Sequence, residues 1–313
     1  KTIAEYVSRT RNIDVTPEMV VVVPGGKPII FHGLMALIER VDEVIFPSPG
    51  FPIYESMIHF VSAHAVPIQL KMENDFAFDI RDLEKAITPE TRMIVINSPA
   101  NPTGGVIKRL NLEKIAQLAI AHDLIVFSDE IYSRIIYDEE FFSIASLPGM
   151  QERTIILDGF SKTYAMTGWR LGYGVMPVPV AQAVARLITN STSCVATATQ
   201  IAGVKALTSS QDSVDQMLAA FRQRRAVIVK GLNQIPGFKC LLPAGAFYAF
   251  PNIEGTGRKS KELADYLLNE AGVATLSGTA FGSYGEGFLR LSYANSIENI
   301  QNAVGTTLLP ARS

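Results

Sequence analysis

Between Val44 and about Met176, short apolar runs alternate with helical patterns, and this alternation constrains the fold more than any other feature of the chain. The runs Glu43–Pro47, Ala65–Leu70, Met93–Asn97, Leu124–Asp129, Thr154–Asp158 and Leu171–Met176 read as strands. Between two of them, Leu112, Ile115, Ala116, Ala119 and Ile120 recur at helical spacing and predict one buried stripe. Strand–helix alternation of this kind predicts an α/β fold with a mainly parallel, doubly wound sheet. A long helical tract, Val214–Gln234, carries the chain out of that domain, with Arg222, Arg224 and Arg225 expected on its solvated face. From Gly237 onward strands and helices mix, as in a smaller α+β domain. The expected division is a large domain at 1–220 and a small one at 221–313, which 313 residues can support.

Open α/β sheets place ligands beyond the carboxyl ends of their strands. One such end leads into Gly159-Phe-Ser-Lys-Thr-Tyr-Ala-Met-Thr-Gly-Trp-Arg170. A lysine held there is desolvated, which lowers its pKa and frees the amine for a Schiff base. Arg170 offers the rigid fork that a phosphate ester needs. Lys162 for an aldehyde and Arg170 for a phosphate describe a site for pyridoxal 5′-phosphate; a solvated basic loop is the alternative for a lone pair of this kind.

Three more segments keep the same order. Asn97-Ser-Pro-Ala-Asn-Pro-Thr-Gly-Gly105 and Ser128-Asp-Glu-Ile-Tyr132 each follow an apolar strand, and Phe288-Leu-Arg-Leu-Ser-Tyr-Ala294 lies near the C-terminus. Together with the lysine segment they closely resemble the class I/II aminotransferases, the fold type I enzymes that use pyridoxal phosphate. The resemblance runs from about Ile13 to the C-terminus, and bacterial aspartate aminotransferases are among the forms it is similar to.

That resemblance implies roles residue by residue. Asp129 would face the cofactor's ring nitrogen and keep it protonated. Tyr132 would donate to the ring's phenolic oxygen, and Asn101 would share that oxygen and reach the substrate carboxylate. Gly25 and Gly26, before Pro28 and the apolar-periodic helix from Ile29, would cradle the phosphate with bare backbone N–H groups. Phe51 would stack on the ring, and Arg290 would take the α-carboxylate as a bidentate pair. Lys27 would meet the distal carboxylate of an acidic substrate, or merely add charge near the phosphate. Phe247 is expected to be core or pocket wall. The chain departs from the family pattern at Gly159, where many members carry a phosphate-binding serine; Ser161 is the candidate substitute.

The implied activity is a ping-pong transfer of an amino group between an L-amino acid, with aspartate or glutamate favoured, and a 2-oxo acid. A C–S β-lyase on the same fold is one alternative. A pyridoxal-phosphate-binding sensor domain of a transcription regulator is another, although no helix-turn-helix or basic segment is visible. Lys+Arg 28 against Asp+Glu 30 gives a net charge of −2, which argues against nucleic acid or an anionic membrane as partner. No apolar stretch approaches membrane-spanning length. Two cysteines, Cys194 and Cys240, favour a reducing compartment, so the expected location is cytoplasmic. His32, His59, His64 and His122 show no ligand spacing, are expected to be structural or surface residues, and imply no metal. The sequence opens inside a helical pattern at Lys1–Thr10. In the family several dozen residues precede this point, completing the small domain and reaching the second subunit of a homodimer whose active site lies at the interface. Either this polypeptide is truncated or those residues belong to it and are disordered.

Overall fold

A computed structural model describes residues 1–308; residues 309–313 of the expected small domain lie outside the described residues. Seven strands form the main sheet: β1 (Val20–Val23), β2 (Glu43–Ser48), β3 (His64–Gln69), β4 (Thr91–Asn97), β5 (Ile125–Asp129), β6 (Thr154–Gly159) and β7 (Gly172–Val175). Their order across the sheet is β1-β7-β6-β5-β4-β2-β3. Neighbours from β3 to β6 pair in parallel, whereas β7 runs antiparallel to both β6 and β1.

Side-chain alternation along the central strands fills two cores. In β4, Met93 and Val95 join the cluster on one face, while Ile94 and Ile96 join the cluster on the other. The first face is covered by α2 (Lys27–Leu37), α3 (Ile53–Phe60) and α6 (Val178–Ser191), and the second by α4 (Ile80–Ala86) and α5 (Arg109–Ala121). α1 (Thr2–Arg11) packs with α7 (Thr197–Thr208) over the β6–β7 edge. Continuously apolar strands are the consequence of this double cover.

The β6–β7 turn decides where the site forms. Only Phe160–Leu171 separate the two strands, and no helix forms in them, so the chain reverses and β7 pairs antiparallel with β6. Both ends of that reversal, with Lys162 and Arg170, therefore stay at the carboxyl end of β6. β1 lies outside the expected series of strands. Because it runs antiparallel to β7, with Val23 opposite Gly172, it releases Gly25 and Gly26 at that same edge.

The C-terminal part adds α8 (Asp212–Leu232), α9 (Ser260–Ala271), α10 (Ile297–Leu308) and a small antiparallel sheet, β8-β10-β9, from Tyr248–Ala249, Leu289–Ser292 and Leu276–Ser277. No helix among the described residues is long and apolar enough to cross a membrane.

Two expectations are corrected. Ile120 is 45% exposed and leaves the α5 stripe, because that helix ends one residue later beside Gly149. Arg225 is buried rather than solvated. It donates to the Pro243 carbonyl, pairs with Asp138 and lies over the Tyr137 ring. Arg222 binds the same Asp138 from the exposed side. Of the histidines, His32 is buried, bonded to Pro28 O and Ser191 Oγ, and the other three are exposed.

Gly172 is where the reversed strand meets the glycine pair. A Cβ there would lie 2.6 Å from both Gly25 C and Gly26 N, backbone atoms that cannot step aside. Gly172→Ala is therefore expected to destabilise the protein by about 1–3 kcal/mol, the usual cost of overpacking. A urea midpoint equal to that of the native protein would contradict this contact.

Candidate active site

In register, Asn97 at the end of β4 lies beside Asp129 at the end of β5. Beyond these ends opens a cleft of about 250 Å³, bordered by Gly26, Lys27, Phe51, Asn101, Asp129, Tyr132, Ser161, Lys162, Arg170 and Arg290. Gly25 sits directly behind it. Its φ is +81°, and a Cβ would lie 2.1 Å from Arg170 Nη2, so only glycine fits. The residues singled out in the sequence are thus brought together, although 264 positions separate the first from the last of those bordering the cleft (Gly26 and Arg290).

Asn97 shapes the loop that follows it. Its Nδ2 donates to the carbonyls of Pro99 and Asp129, and its Oδ1 accepts from the Asn101 N–H at 2.8 Å. Asn101 is thereby turned so that its Oδ1 accepts from Arg290 Nη1 at 3.1 Å. Arg290, in β10, lies over the rings of Tyr248 and Phe281, 4.5 and 4.8 Å from their centroids. Among the described residues its buried Nε has no hydrogen-bond partner. Burial lowers its pKa from the usual value.

Asp129 is buried and accepts from the Tyr54 hydroxyl at 2.6 Å and the Ile131 N–H at 3.2 Å. Burial raises its pKa to about 6 in spite of those donors. Lys162 is half-buried; burial and then the charge of Arg290 lower its pKa, while Asp129 opposes the shift. The Tyr132 hydroxyl bonds that of Tyr248 at 2.9 Å, and burial carries its pKa well above the ordinary tyrosine value. Arg170 donates to Thr167 O and reaches towards Pro24 O.

Position 159 does not reach the cleft. Gly159 lies in β6, and a Cβ there would come within 3.0 Å of Gly172 Cα and 3.3 Å of Ile131 Cδ1. The hydroxyls that border the cleft near Arg170 belong to Ser161 and Thr167. Thr167 lies inside the lysine segment and Tyr54 on α3, three residues after Phe51, and neither is marked by its own sequence surroundings. Tyr248 borders the cleft, whereas its neighbour Phe247 packs on the core, stacked on Phe221 with its ring 5.5 Å from Lys162 Nζ.

The sheet order and this strand-end cleft define the fold type I architecture of α/β transferases. Residues 1–306 match the family model for aminotransferase class I and II, and the chain belongs to that family, whose members are pyridoxal-phosphate-dependent transaminases. It is 40% identical over 306 residues to the aspartate aminotransferase of Pyrococcus abyssi, covering 96% of this chain and 78% of that one. It superposes on the aromatic aminotransferase of Pyrococcus horikoshii with a TM-score of 0.96 at 38% identity, covering 98% and 83% of the two chains. With the aspartate aminotransferase of Thermus thermophilus bound to maleate, the TM-score is 0.94 at 37% identity, covering 98% and 80%.

The residues present fit the family's cofactor. Bare glycine backbone meets Arg170 where a phosphate needs donors, a buried carboxylate of raised pKa awaits a cationic partner, and Arg290 keeps an unpartnered Nε.

Asp129 yields a pH test. Its folded-state pKa, about 6, lies above the ordinary 3.8, so ionisation costs the folded state more than the unfolded one. That penalty is complete above pH 6 and disappears as pH falls towards 3.8. In the cofactor-free protein Asp129→Asn should add about 1–3 kcal/mol at pH 7.5, and little at pH 4. A gain that is the same at both pH values would remove the desolvated carboxylate as its source.

Proposed function

We propose that this chain transfers an amino group between an L-amino acid and a 2-oxo acid, with aspartate or glutamate as the favoured donor. The observation that carries the reading is the meeting, in one cleft, of Lys162 with its lowered pKa, the buried Asp129 and the half-paired Arg290. When bound, pyridoxal phosphate supplies an electron sink for the carbanion at the substrate's α-carbon. Lys162 Nζ would hold its aldehyde carbon, and Gly25, Gly26, Ser161 and Arg170 its phosphate. Phe51 would cover the ring, Asp129 would hold the proton on the ring nitrogen, and Asn101 and Tyr132 would bond the phenolic oxygen.

Each side chain then has a task set by its surroundings. Burial and the charge of Arg290 lower the Lys162 pKa and so favour the free amine, whose Nζ would take the proton from the substrate's Cα. Arg290, held by two aromatic faces and Asn101, presents its free edge to the α-carboxylate and fixes the direction of that Cα–H bond. The same groups serve the amino acid and the oxo acid in turn, which makes the expected kinetics ping-pong. Trp169, Ile201 and Val204 are large apolar side chains left exposed, which supports a homodimer as the working form.

Borohydride reduction of the holoenzyme should fix the cofactor on the peptide that contains Lys162. Label on any other lysine would overturn the assignment.

Lys27 supports the acidic substrate. It opens α2, borders the cleft, and its Nζ lies 5.5 Å from the Phe51 ring. The bound maleate of the Thermus relative is likewise a dicarboxylate. Lys27→Ala should lower kcat/KM for aspartate and glutamate by about ten- to a hundredfold, a charge-assisted hydrogen bond of roughly 1.5–3 kcal/mol. Phenylalanine should lose far less. An equal loss on both substrates, repaired by excess cofactor, would assign Lys27 to the phosphate instead.

A further inference from the structure

We propose that Tyr248 is a positioning residue for this reaction, its hydroxyl setting the direction of the Tyr132 hydrogen bond and its ring face fixing the Arg290 guanidinium. The inference rests on the transaminase reading, in which Tyr132 donates into the cleft and Arg290 binds a carboxylate.

The two tyrosine hydroxyls lie 2.9 Å apart, and among the described residues neither has another side-chain or backbone partner. Each carries one proton. If Tyr132 gives its proton into the cleft, its oxygen must accept, and Tyr248 is the only donor placed to supply it. Donation from Tyr248 polarises the Tyr132 O–H and strengthens its outward bond. Both tyrosines are buried, where such a bond is electrostatically stronger than in water.

The ring does separate work. β8 pairs with β10 so that Ser292 lies opposite Tyr248, and Arg290, two residues along, projects from the same face. Arg290 Cζ accordingly rests over the Tyr248 ring, 4.5 Å from its centroid, and 4.8 Å from that of Phe281. Among the described residues one hydrogen bond, to Asn101, otherwise orients it. A ring face beneath a planar cation attracts it and limits its tilt. Hydroxyl and ring of one side chain therefore serve two different groups of the cleft, and substitution can separate them.

The test uses holoenzyme carrying Tyr248→Phe or Tyr248→Leu, with two readouts besides turnover: the pH titration of the lysine-linked cofactor absorbance, and binding of succinate as a dicarboxylate probe. A donor to the phenolic oxygen favours its anionic form, so weakening Tyr132 should raise the absorbance pKa. Tyr248→Phe is expected to raise it by about half a unit or more. Tyr248→Leu should show the same rise and, in addition, bind succinate about tenfold more weakly than Tyr248→Phe does. An unshifted pKa in Tyr248→Phe overturns the hydroxyl's role. Equal succinate binding by the two variants overturns the ring's role. Should Tyr248→Leu fail to fold, Tyr248→Met fills similar space without a ring face and reads the same difference. A native holoenzyme without a lysine-linked band would overturn the transaminase reading and this inference together; a native band with unshifted variants would overturn this inference alone.

Discussion

Four cationic side chains, Lys27, Lys162, Arg170 and Arg290, border a cleft whose lining residues include one carboxylate, Asp129. At an effective dielectric of about 20, like charges ~6 Å apart repel by ~3 kcal/mol, so this imbalance dominates the site. It adds to burial in depressing the Lys162 pKa, because Arg290, Arg170 and Lys27 all disfavour a charged ammonium beside them. It also defines what can occupy the cleft. A phosphate and one or two carboxylates neutralise the excess; a neutral ligand would leave the repulsion in place. Charge balance thus ties the reactivity of the lysine to the selection of anionic ligands, and neither can be altered without moving the other.

Such charges stay together only if the fold anchors each one away from the cleft. Arg170 is tied to carbonyls at Thr167 and Pro24, and Arg290 to Asn101 and its aromatic neighbours. Behind them a further arginine braces the strand ends. Arg11, at the end of α1, donates to Glu130 at 3.0 Å and to Asp158 at 2.6 Å, with Ser133 bonded to the same guanidinium. Glu130 follows Asp129, and Asp158 stands four residues before Lys162. All three charged groups are buried, so losing one partner would strand the others at a cost of about 3–5 kcal/mol. The brace joins the carboxyl ends of β5 and β6 and so fixes the spacing from which the acid and the amine both extend.

The central strands were legible because helices on both faces demand continuously apolar runs, and that demand is local. β1 was harder to see: it is four residues long, lies at the sheet's edge, and owes its place to pairing with β7, far along the chain. Arg225 misled for a related reason, since its partner Asp138 lies 87 residues upstream and nothing within α8 announces it. In the site, Lys162 stood out by residue type and strand-end position, whereas Asp129 and Arg290 stood out through the family resemblance of their segments. Tyr54 and Tyr248 did not stand out. Tyr248 adjoins Phe247, and which of the two faces the cleft depends on strand register; Tyr54 reaches Asp129 across 75 residues, and nothing in its own helix announces that partner.

The eight-residue spacing of Lys162 and Arg170 follows from the reversal between β6 and β7. A crossover helix in its place would have carried the arginine to the far end of the sheet. The short connection instead returns it to the edge it left, and bends the backbone to do so: Ala165 and Arg170 both adopt positive φ, 51° and 53°. For residues with a Cβ that conformation costs roughly 1–2 kcal/mol each. The buried β6–β7 pairing and the close contact of Gly172 with the glycine pair hold the loop in this shape against that cost. Strain is thus met by folding, and Arg170 and the Lys162 amine are held at the same end of the sheet by the pairing of the strands themselves.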